Sequence, residues 1–398
     1  MRASSPGFQR VRLAEARTAR SLTQTALSLQ LGRAKSSVSK WESGQQTPNP
    51  DVIGPLADAL NVPREYFFRP PLDLGDAPIF FRSMANATKR SRARLEVRLG
   101  WLQTISWDLQ QWLDLPDLGL PDLGVESFRR LSDEDVEQAA QACRQHWGLG
   151  RAPIPDMLLV LENAGVVSAR DEFGTPSIDG VSRWSKIDDR PYVLTASDKR
   201  TAVRSRFDAA HELAHLLLHR RASQQDMADG ETFALIENQA HRFAAAFLLP
   251  AEGFANEVQH LSLDAFVALK SRWRVSVKAM IQRCRDLDLM SDAYAVRLYK
   301  YLSARGWNAR EPLDDILEPE RPRLLERGLR LLMTRGGWSQ ESLLSELRLY
   351  ASDVEPLTGL PAGMLSRGDN VALLPTPTLK RTDRGARPAP IVPLRRRQ

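Results

Sequence analysis

The segment His-Glu-Leu-Ala-His at residues 211–215 constrains this chain more than any other feature, because its side chains suit one face of a helix. Residues four apart lie one above the other on an α-helix, so His211 and His215 would present two imidazoles together. A glutamate beside the first of two such histidines is typical of zinc-dependent peptidases, where the histidines bind the metal and the glutamate is the general base. Glu212 would take that last role.

The flanking residues predict that this helix is buried. Residues 204–219 contain no Gly or Pro, and Ala and Leu fill most positions that the polar residues leave. Four of the 6 histidines in the chain fall between His211 and His241. An amphipathic helix with a few core or surface histidines is the alternative interpretation.

A short apolar run precedes this helix. Residues 191–196 are rich in β-branched and aromatic side chains, which favours a strand. We expect it to be the edge strand of a cleft, where a peptide substrate would add as a further strand.

A catalytic zinc needs a third protein ligand and one open position. The metzincin pattern, with a glycine before a third histidine, is excluded because His219 follows His215 by four residues with no glycine between them. The remaining route takes a glutamate from a second helix. Residues 237–250 predict such a helix, which ends at Pro250, and Glu237 is the expected third ligand.

His241 is the least certain residue of this predicted site. It follows Glu237 by four residues and would lie on the same helical face. It would either orient a metal ligand through a hydrogen bond or replace Glu237 at the metal. A plain buried histidine is the third alternative.

These motifs resemble the ImmA/IrrE family of zinc metallopeptidases. The resemblance covers roughly residues 135–300 and rests on Arg-x-Arg-Phe-x-x-Ala-His-Glu-Leu-x-His-x-x-x-His, followed by Glu-x-x-Ala-x-x-Phe-Ala and Leu-Leu-Pro. It implies a gluzincin-like fold with Glu212 as base and with zinc, or alternatively manganese, held by His211, His215 and Glu237. Gln239 and His241 depart from the family, which often has a second glutamate and an Asn or Asp at these positions.

A second motif opens the chain. Three short amphipathic helices are predicted there, at residues 8–17, 22–32 and 35–44. Thr23 would cap the second helix and Gly32 would lie in the turn after it. Two short helices around a glycine turn are the helix-turn-helix plan, whose second helix enters the DNA major groove.

Residues 8–69 resemble the XRE, or lambda-repressor-like, DNA-binding domains. The matching pieces include Leu-Thr-Gln, Ser-Val-Ser-Lys-Trp-Glu-Ser-Gly and Leu-Ala-Asp-Ala-Leu-Asn-Val-Pro. The resemblance implies that Lys35, Ser36 and Lys40 face base edges of an operator and that Gln24 touches a phosphate. A protein-interaction module that keeps this fold without DNA is the alternative.

Together the patterns predict a mainly α-helical chain with a small β-sheet, an α+β fold: a lambda-repressor-like bundle, a gluzincin-like metallopeptidase domain and a helical C-terminal region. Residues 263–289 predict a further helix, break and helix, which would pack on the catalytic core or contact DNA. The expected divisions are a DNA-binding domain at 1–70, a helical linker at 71–130, a peptidase domain at 131–300, a helical region of unknown role at 301–374 and a basic disordered tail at 375–398.

Charge and cysteine content agree with this prediction. The net charge of +6 is concentrated in two basic clusters, one between Lys89 and Arg98 and one in the tail. Such clusters attract phosphate, although a solvated charge run is the more common interpretation. Two cysteines are too few for a disulfide framework, and no apolar stretch is long enough for a membrane helix. We expect a cytoplasmic protein, associated with the nucleoid and not with a membrane.

Two functions follow from the sequence. The first is a DNA-tethered zinc endopeptidase whose residues predict peptide hydrolysis. The resemblance to the ImmA/IrrE family implies a transcriptional repressor as its substrate, so operator DNA and that repressor are the expected partners. The second is a transcription regulator whose metal domain senses a signal or partner and cleaves slowly or not at all. Glu212 favours the first, because a structural zinc site has no need of a carboxylate beside an open position. The sequence leaves open whether the chain forms a homodimer.

Overall fold

Helices dominate the part of the chain whose structure is defined, as the amphipathic patterns predict. The computed structural model describes residues 5–75, 77–81, 87–175, 177–198 and 201–366. Within these ranges lie 17 α-helices and a sheet of four strands, which confirms the α+β class. The predicted tail at 375–398 lies outside the described residues.

The N-terminal bundle contains the predicted helix-turn-helix. Its elements are α1 (Arg10–Ala19), α2 (Gln24–Gln30), α3 (Ser36–Ser43), α4 (Pro50–Leu60) and a 3-10 helix at Arg64–Phe68. The Thr23 hydroxyl accepts a hydrogen bond from the Ala26 amide at 3.0 Å, which confirms the predicted cap of α2. Gly32 has a positive φ of 61° in the turn between α2 and α3, a conformation that favours glycine.

Helix α5 (Lys89–Leu109) joins this bundle to the sheet. Its leucines are buried in one hydrophobic cluster with residues of α1, α4 and all four strands. Arg98 is also buried, and its guanidinium donates to Asp171 and Asp353. Arg94 donates to the backbone carbonyls of Ala19 and Phe173. These two arginines of the basic cluster therefore hold elements together, so neither phosphate attraction nor a solvated run describes them.

The sheet runs in the order β1-β3-β4-β2. The strands are β1 (Phe80–Phe81), β2 (Val167–Asp171), β3 (Gly180–Ser185) and β4 (Arg190–Ala196). Strand β4 pairs with β3 in an antiparallel and with β2 in a parallel arrangement, while β1 pairs with β3 in an antiparallel arrangement. The prediction that residues 191–196 form the edge strand is therefore wrong. Strand β4 lies inside the sheet, because β3 pairs with one of its edges and β2 pairs with the other.

The remaining helices surround the sheet. They are α6 (Asp133–His146), α7 (Met157–Asn163), α8 (Ala202–Leu218), α9 (Gln224–Ala228), α10 (Gly230–Leu248), α11 (Ala251–Glu257), α12 (Leu263–Trp273), α13 (Val277–Asp286), α14 (Asp292–Ala304), α15 (Leu324–Thr334), α16 (Gln340–Leu347) and α17 (Ala351–Thr358). None of the described helices is long and apolar enough to cross a membrane.

Two large clusters form the core. One joins α6, α7, α8, α10 and the helices up to α14. The other contains the N-terminal bundle, α5, part of the sheet and helices α15 to α17. Helices α15 to α17 of the predicted C-terminal region thus share a core with the N-terminal bundle.

Candidate metal centre

Helix α8 carries the His-Glu-Leu-Ala-His segment under the sheet. It packs against β3, β4 and α10, and His211, Glu212 and His215 are fully buried. Helix α8 can be buried over most of its length because it contains no Gly or Pro and is rich in Ala and Leu. The sequence prediction of one continuous buried helix is confirmed.

Three side chains that the sequence selected lie together. The Nε2 atoms of His211 and His215 are 2.9 Å apart. Glu237 places one carboxylate oxygen 3.3 Å from His215 Nε2 and the other 3.6 Å from His211 Nε2. Among the described residues these three form the group of His, Cys, Asp or Glu side chains whose ligand atoms converge within 4.8 Å.

These distances fit a divalent metal such as zinc. Bonds of about 2.0–2.1 Å in a tetrahedral site place neighbouring ligand atoms roughly 3.3 Å apart, which is close to the spacing observed. Two neutral imidazoles and one carboxylate are also the donor set of many catalytic zinc sites.

Glu237 reaches the site from α10. This helix begins at Gly230, seven positions before the predicted start, because Asp229 caps it by accepting a hydrogen bond from the Thr232 amide at 2.9 Å. Burial raises the pKa of the Glu237 carboxyl, but the adjacent imidazoles of His211 and His215 lower it more, so the pKa lies well below its usual range. The carboxylate is therefore charged at neutral pH.

A line of hydrogen bonds supports His215 from behind. His219 Nδ1 lies 3.1 Å from His215 Nδ1, and His219 Nε2 lies 3.0 Å from Gln239 Oε1. The Gln239 amide nitrogen donates to the carbonyls of Phe128 at 2.8 Å and Leu131 at 3.4 Å. Burial and the neighbouring His215 lower the pKa of His219 to about 3, so its ring is neutral.

This line defines which ring nitrogens carry protons. Because the Gln239 amide nitrogen donates to carbonyls, its oxygen accepts from His219 Nε2. The neutral His219 ring must then accept at Nδ1, so His215 donates from its own Nδ1. In this tautomer a neutral His215 ring carries its lone pair at Nε2, the nitrogen that faces His211 and Glu237 and that a metal would bind. The sequence marked Gln239 only as a departure from the family pattern, and its role depends on contacts with distant residues.

Glu212 lies against the backbone of β3. A Cβ atom added to Gly180 would be 2.6 Å from Glu212 Oε1, so only glycine leaves room for this carboxylate. Gly180 is not among the residues that the sequence motifs selected. A glycine within a strand is a recognised sign of close backbone approach, and residues 178–184 contain such a glycine at Gly180.

His241 lies at the outer side of the site. Its ring centroid is 4.7 Å from that of His211 in an edge-to-face contact and 5.8 Å from that of Phe207. The side chain is exposed, in contrast to the three converging residues. The role of His241 stays a prediction.

The predicted DNA contacts lie on or next to α3. Lys35 and Ser36 are exposed at the start of the helix, and Lys40 is half-buried one turn later. Gln24 at the start of α2 donates to Glu42 at 2.6 Å, so its amide is partly engaged within the bundle. The contacts of all four residues with DNA stay predictions.

Two segments of the chain match known families. Residues 161–285 match a peptidase family described as the IrrE N-terminal-like domain, and residues 13–67 match a helix-turn-helix family. No curated protein is significantly similar to the chain. The matches support a DNA-binding regulator with a metallopeptidase-like domain. More narrowly, the chain combines a segment similar to XRE-type helix-turn-helix domains with a segment similar to ImmA/IrrE-like domains.

Proposed function

We propose that the chain is a DNA-binding, zinc-dependent endopeptidase that cleaves a transcriptional repressor. The observation that carries this proposal is the convergence of His211, His215 and Glu237 within 4.8 Å, with the buried Glu212 next to His211 in α8. A purely structural site would be expected to offer a fourth protein ligand instead. Manganese is the alternative metal.

The proposed chemistry divides between the metal and Glu212. When bound, zinc would lower the pKa of a water molecule and polarise the peptide carbonyl. Glu212 would accept a proton from that water at its carboxylate and later donate it to the leaving amine. The close packing of Gly180 against Glu212 would keep the carboxylate in position for both transfers.

The presence of a DNA-binding bundle in the same chain supports a repressor as the substrate. A peptidase tethered to an operator meets proteins bound nearby at a high effective concentration. Lys35, Ser36 and Lys40 would provide the operator contacts, with Gln24 on a phosphate. This arrangement would also place the protein at the nucleoid.

The peptidase proposal is tested with the wild-type chain and Glu212→Gln. Both proteins are incubated with candidate repressors from the same genome in the presence of zinc or manganese. We expect cleavage by the wild type and none by Glu212→Gln, with equal metal content in the two. If both proteins bind operator DNA and neither cleaves a repressor, the non-proteolytic regulator replaces this proposal.

The DNA proposal has a separate test. Lys35→Ala and Lys40→Ala should each weaken specific operator binding by about tenfold, in the range expected for one lost base contact. Lys300→Ala, which removes an exposed lysine of α14, is the matched control and should leave binding unchanged. Equal binding by all four proteins would remove α3 as the recognition helix.

A further inference from the structure

The segment between the N-terminal bundle and α5 runs along the outer edge of β3. Phe80 pairs with Ser182 and Phe81 with Val181 in antiparallel register. Nearer the bundle, the Lys186 amide donates to the Leu74 carbonyl at 3.2 Å. We call residues 73–75 and 77–81 the edge segment.

Side chains reinforce the course of the edge segment. Lys186 Nζ lies 2.8 Å from Asp73 Oδ2 in an exposed ion pair, and the Arg183 guanidinium donates to the Gly75 carbonyl. Contacts therefore extend from Val181 to Lys186, over nearly the whole of β3. The edge that a peptide substrate would need for strand addition is covered by the chain itself.

Phe80 fills an apolar pocket beside the candidate metal centre. Its ring stacks on His215 at a centroid distance of 4.7 Å and an angle of 7°, and it is 2% exposed. The pocket belongs to a small cluster separate from the two large cores, formed with Phe128, Ala222, Met227 and Ile236. Phe81 points to the opposite face of the sheet and joins a large core. One aromatic side chain thus enters the site while its neighbour fastens the strand.

The end of the edge segment lies near Glu212. Phe81 pairs with Val181, and the next residue of β3, Gly180, packs against the Glu212 carboxylate. An extended peptide recognised by strand addition uses main-chain hydrogen bonds for affinity and side-chain pockets for specificity. The edge segment combines both features at the entrance to the candidate site.

We propose that the edge segment is a pseudosubstrate that blocks the site, and that the true substrate is an extended peptide segment with a large aromatic residue for the Phe80 pocket. This inference rests on the proposed peptidase function. For cleavage, the edge segment must leave β3 so that a substrate strand can take its place. In the chain, the edge segment follows the DNA-binding bundle and precedes α5. These two elements therefore hold it at its two ends.

A binding experiment tests the proposal without turnover. The probe is a fluorescent peptide with the sequence of residues 72–81, and the protein is the full chain carrying Glu212→Gln. Adding Phe80→Ala to that protein should increase peptide affinity at least about tenfold, because the pocket and edge become available. A peptide with Ala at the position of Phe80 should bind about tenfold more weakly to the same protein. Equal affinity of both proteins for the peptide, or no binding to either, would overturn the proposal.

A surface variant keeps the test decisive if Phe80→Ala does not fold. Asp73→Lys converts the exposed attraction between residue 73 and Lys186 into a repulsion, and it leaves the core unchanged. We expect it to raise peptide affinity by about threefold, in keeping with the small energies of exposed ion pairs. Asp315→Lys, which breaks the exposed pair with Arg310 elsewhere, is the matched control and should have no effect. Equal affinities for these two variants would count against the proposal.

Cleavage assays separate this proposal from the proposed function. If the wild type and Asp73→Lys cleave a repressor at the same rate, the peptidase function stands and the pseudosubstrate is rejected. If the peptide binds as expected but no variant cleaves any protein, the edge segment covers a peptide-binding site and the peptidase function fails.

Discussion

Gln239 influences the candidate metal centre although it is not one of the three converging residues. Its amide nitrogen donates to two backbone carbonyls, and its oxygen accepts a hydrogen bond from His219 Nε2. His219 in turn fixes the orientation of the His215 ring. A histidine ring that is already held in one orientation and one tautomer loses less conformational entropy when it binds a metal.

The Gln239→Met variant tests this support. It keeps the side-chain volume but removes the acceptor for His219, so we expect zinc affinity to fall by about tenfold to a hundredfold. Competition with a chromophoric chelator measures the affinity. Gln138→Met, on the exposed face of α6, is the control and should bind zinc as the wild type does. Unchanged affinity in a folded Gln239→Met protein would contradict the role given to Gln239.

At the scale of elements, β3 and α8 are in direct contact at one closely packed point. The contact is made through Gly180, which has no side chain to keep Glu212 away. The fit depends on both elements at once. A substitution at Gly180 in β3 should therefore alter the proton transfer proposed for Glu212 in α8.

Gly180→Ala is the test at this scale. The added methyl group must displace the Glu212 carboxylate, and a displacement of this size should lower the cleavage rate by about a hundredfold. Zinc affinity should be nearly unchanged, because His211, His215 and Glu237 are not moved. A Cβ at Gly230 meets no atom within 4 Å, so Gly230→Ala is the matched control. A Gly180→Ala protein with wild-type cleavage would show that this packing does not position Glu212.

The elements also show how far sequence reasoning extends. Local patterns predicted α8, the cap of α2 and the convergence of Glu237 with the two histidines, since each depends on spacing within or between amphipathic helices. The position of β4 inside the sheet depends on pairing with β2, for which residues 191–196 carry no local signal. Strand β1 has only two residues and lies in a proline-containing linker, so no alternation marked it.

Charged residues illustrate the same limit. Arg98 belongs to a run of basic residues that typically lies on a surface, and its burial is decided by Asp171 and Asp353, which are far away in sequence. Periodicity identifies which positions of a helix face a core, but it does not identify the partner of a buried charge. The division of the chain into domains stays a prediction as well.

At the scale of the molecule, one ion-pair network ties distant regions together. Arg20, the C-cap residue of α1, donates to Asp353 of α17 at 2.5 and 2.9 Å, and Arg98 of α5 donates to the same carboxylate. Arg98 also binds Asp171 at the end of β2 with a hydrogen bond of 2.6 Å. Three of these four side chains are buried, which makes the network sensitive to loss of one partner.

Asp353→Ala should destabilise the whole chain. It leaves two guanidinium groups without their shared partner, so we expect the free energy of unfolding to fall by about 3–5 kcal/mol. Urea unfolding measures this change. Asp315→Ala removes an exposed ion pair and should cost less than about 1 kcal/mol. A loss of equal size in the two variants would show that the network contributes little.

The two thiols report on the integrity of the core cluster that joins α6, α7, α8, α10 and the helices up to α14. Cys143 and Cys284 are buried in the same cluster, and burial raises the pKa of each to about 12. The thiolate fraction at pH 8 is then roughly one in ten thousand, so native protein should react very slowly with a thiol reagent. We expect both to become reactive in a single transition with denaturant. Fast reaction of either thiol without denaturant would show that this core opens locally.

The shared carboxylate of Asp353 has a consequence for binding at a distance. It receives hydrogen bonds from the DNA-binding bundle through Arg20 and from the sheet-bound helix through Arg98. If DNA shifts α1, the charge balance at Asp353 would change, and with it the support of the sheet. Thermodynamic linkage makes such an effect reciprocal: the factor by which an operator changes peptide affinity equals the factor by which a peptide changes operator affinity. The coupling free energy should therefore be the same whether the peptide is titrated with and without operator DNA or the operator is titrated with and without the peptide.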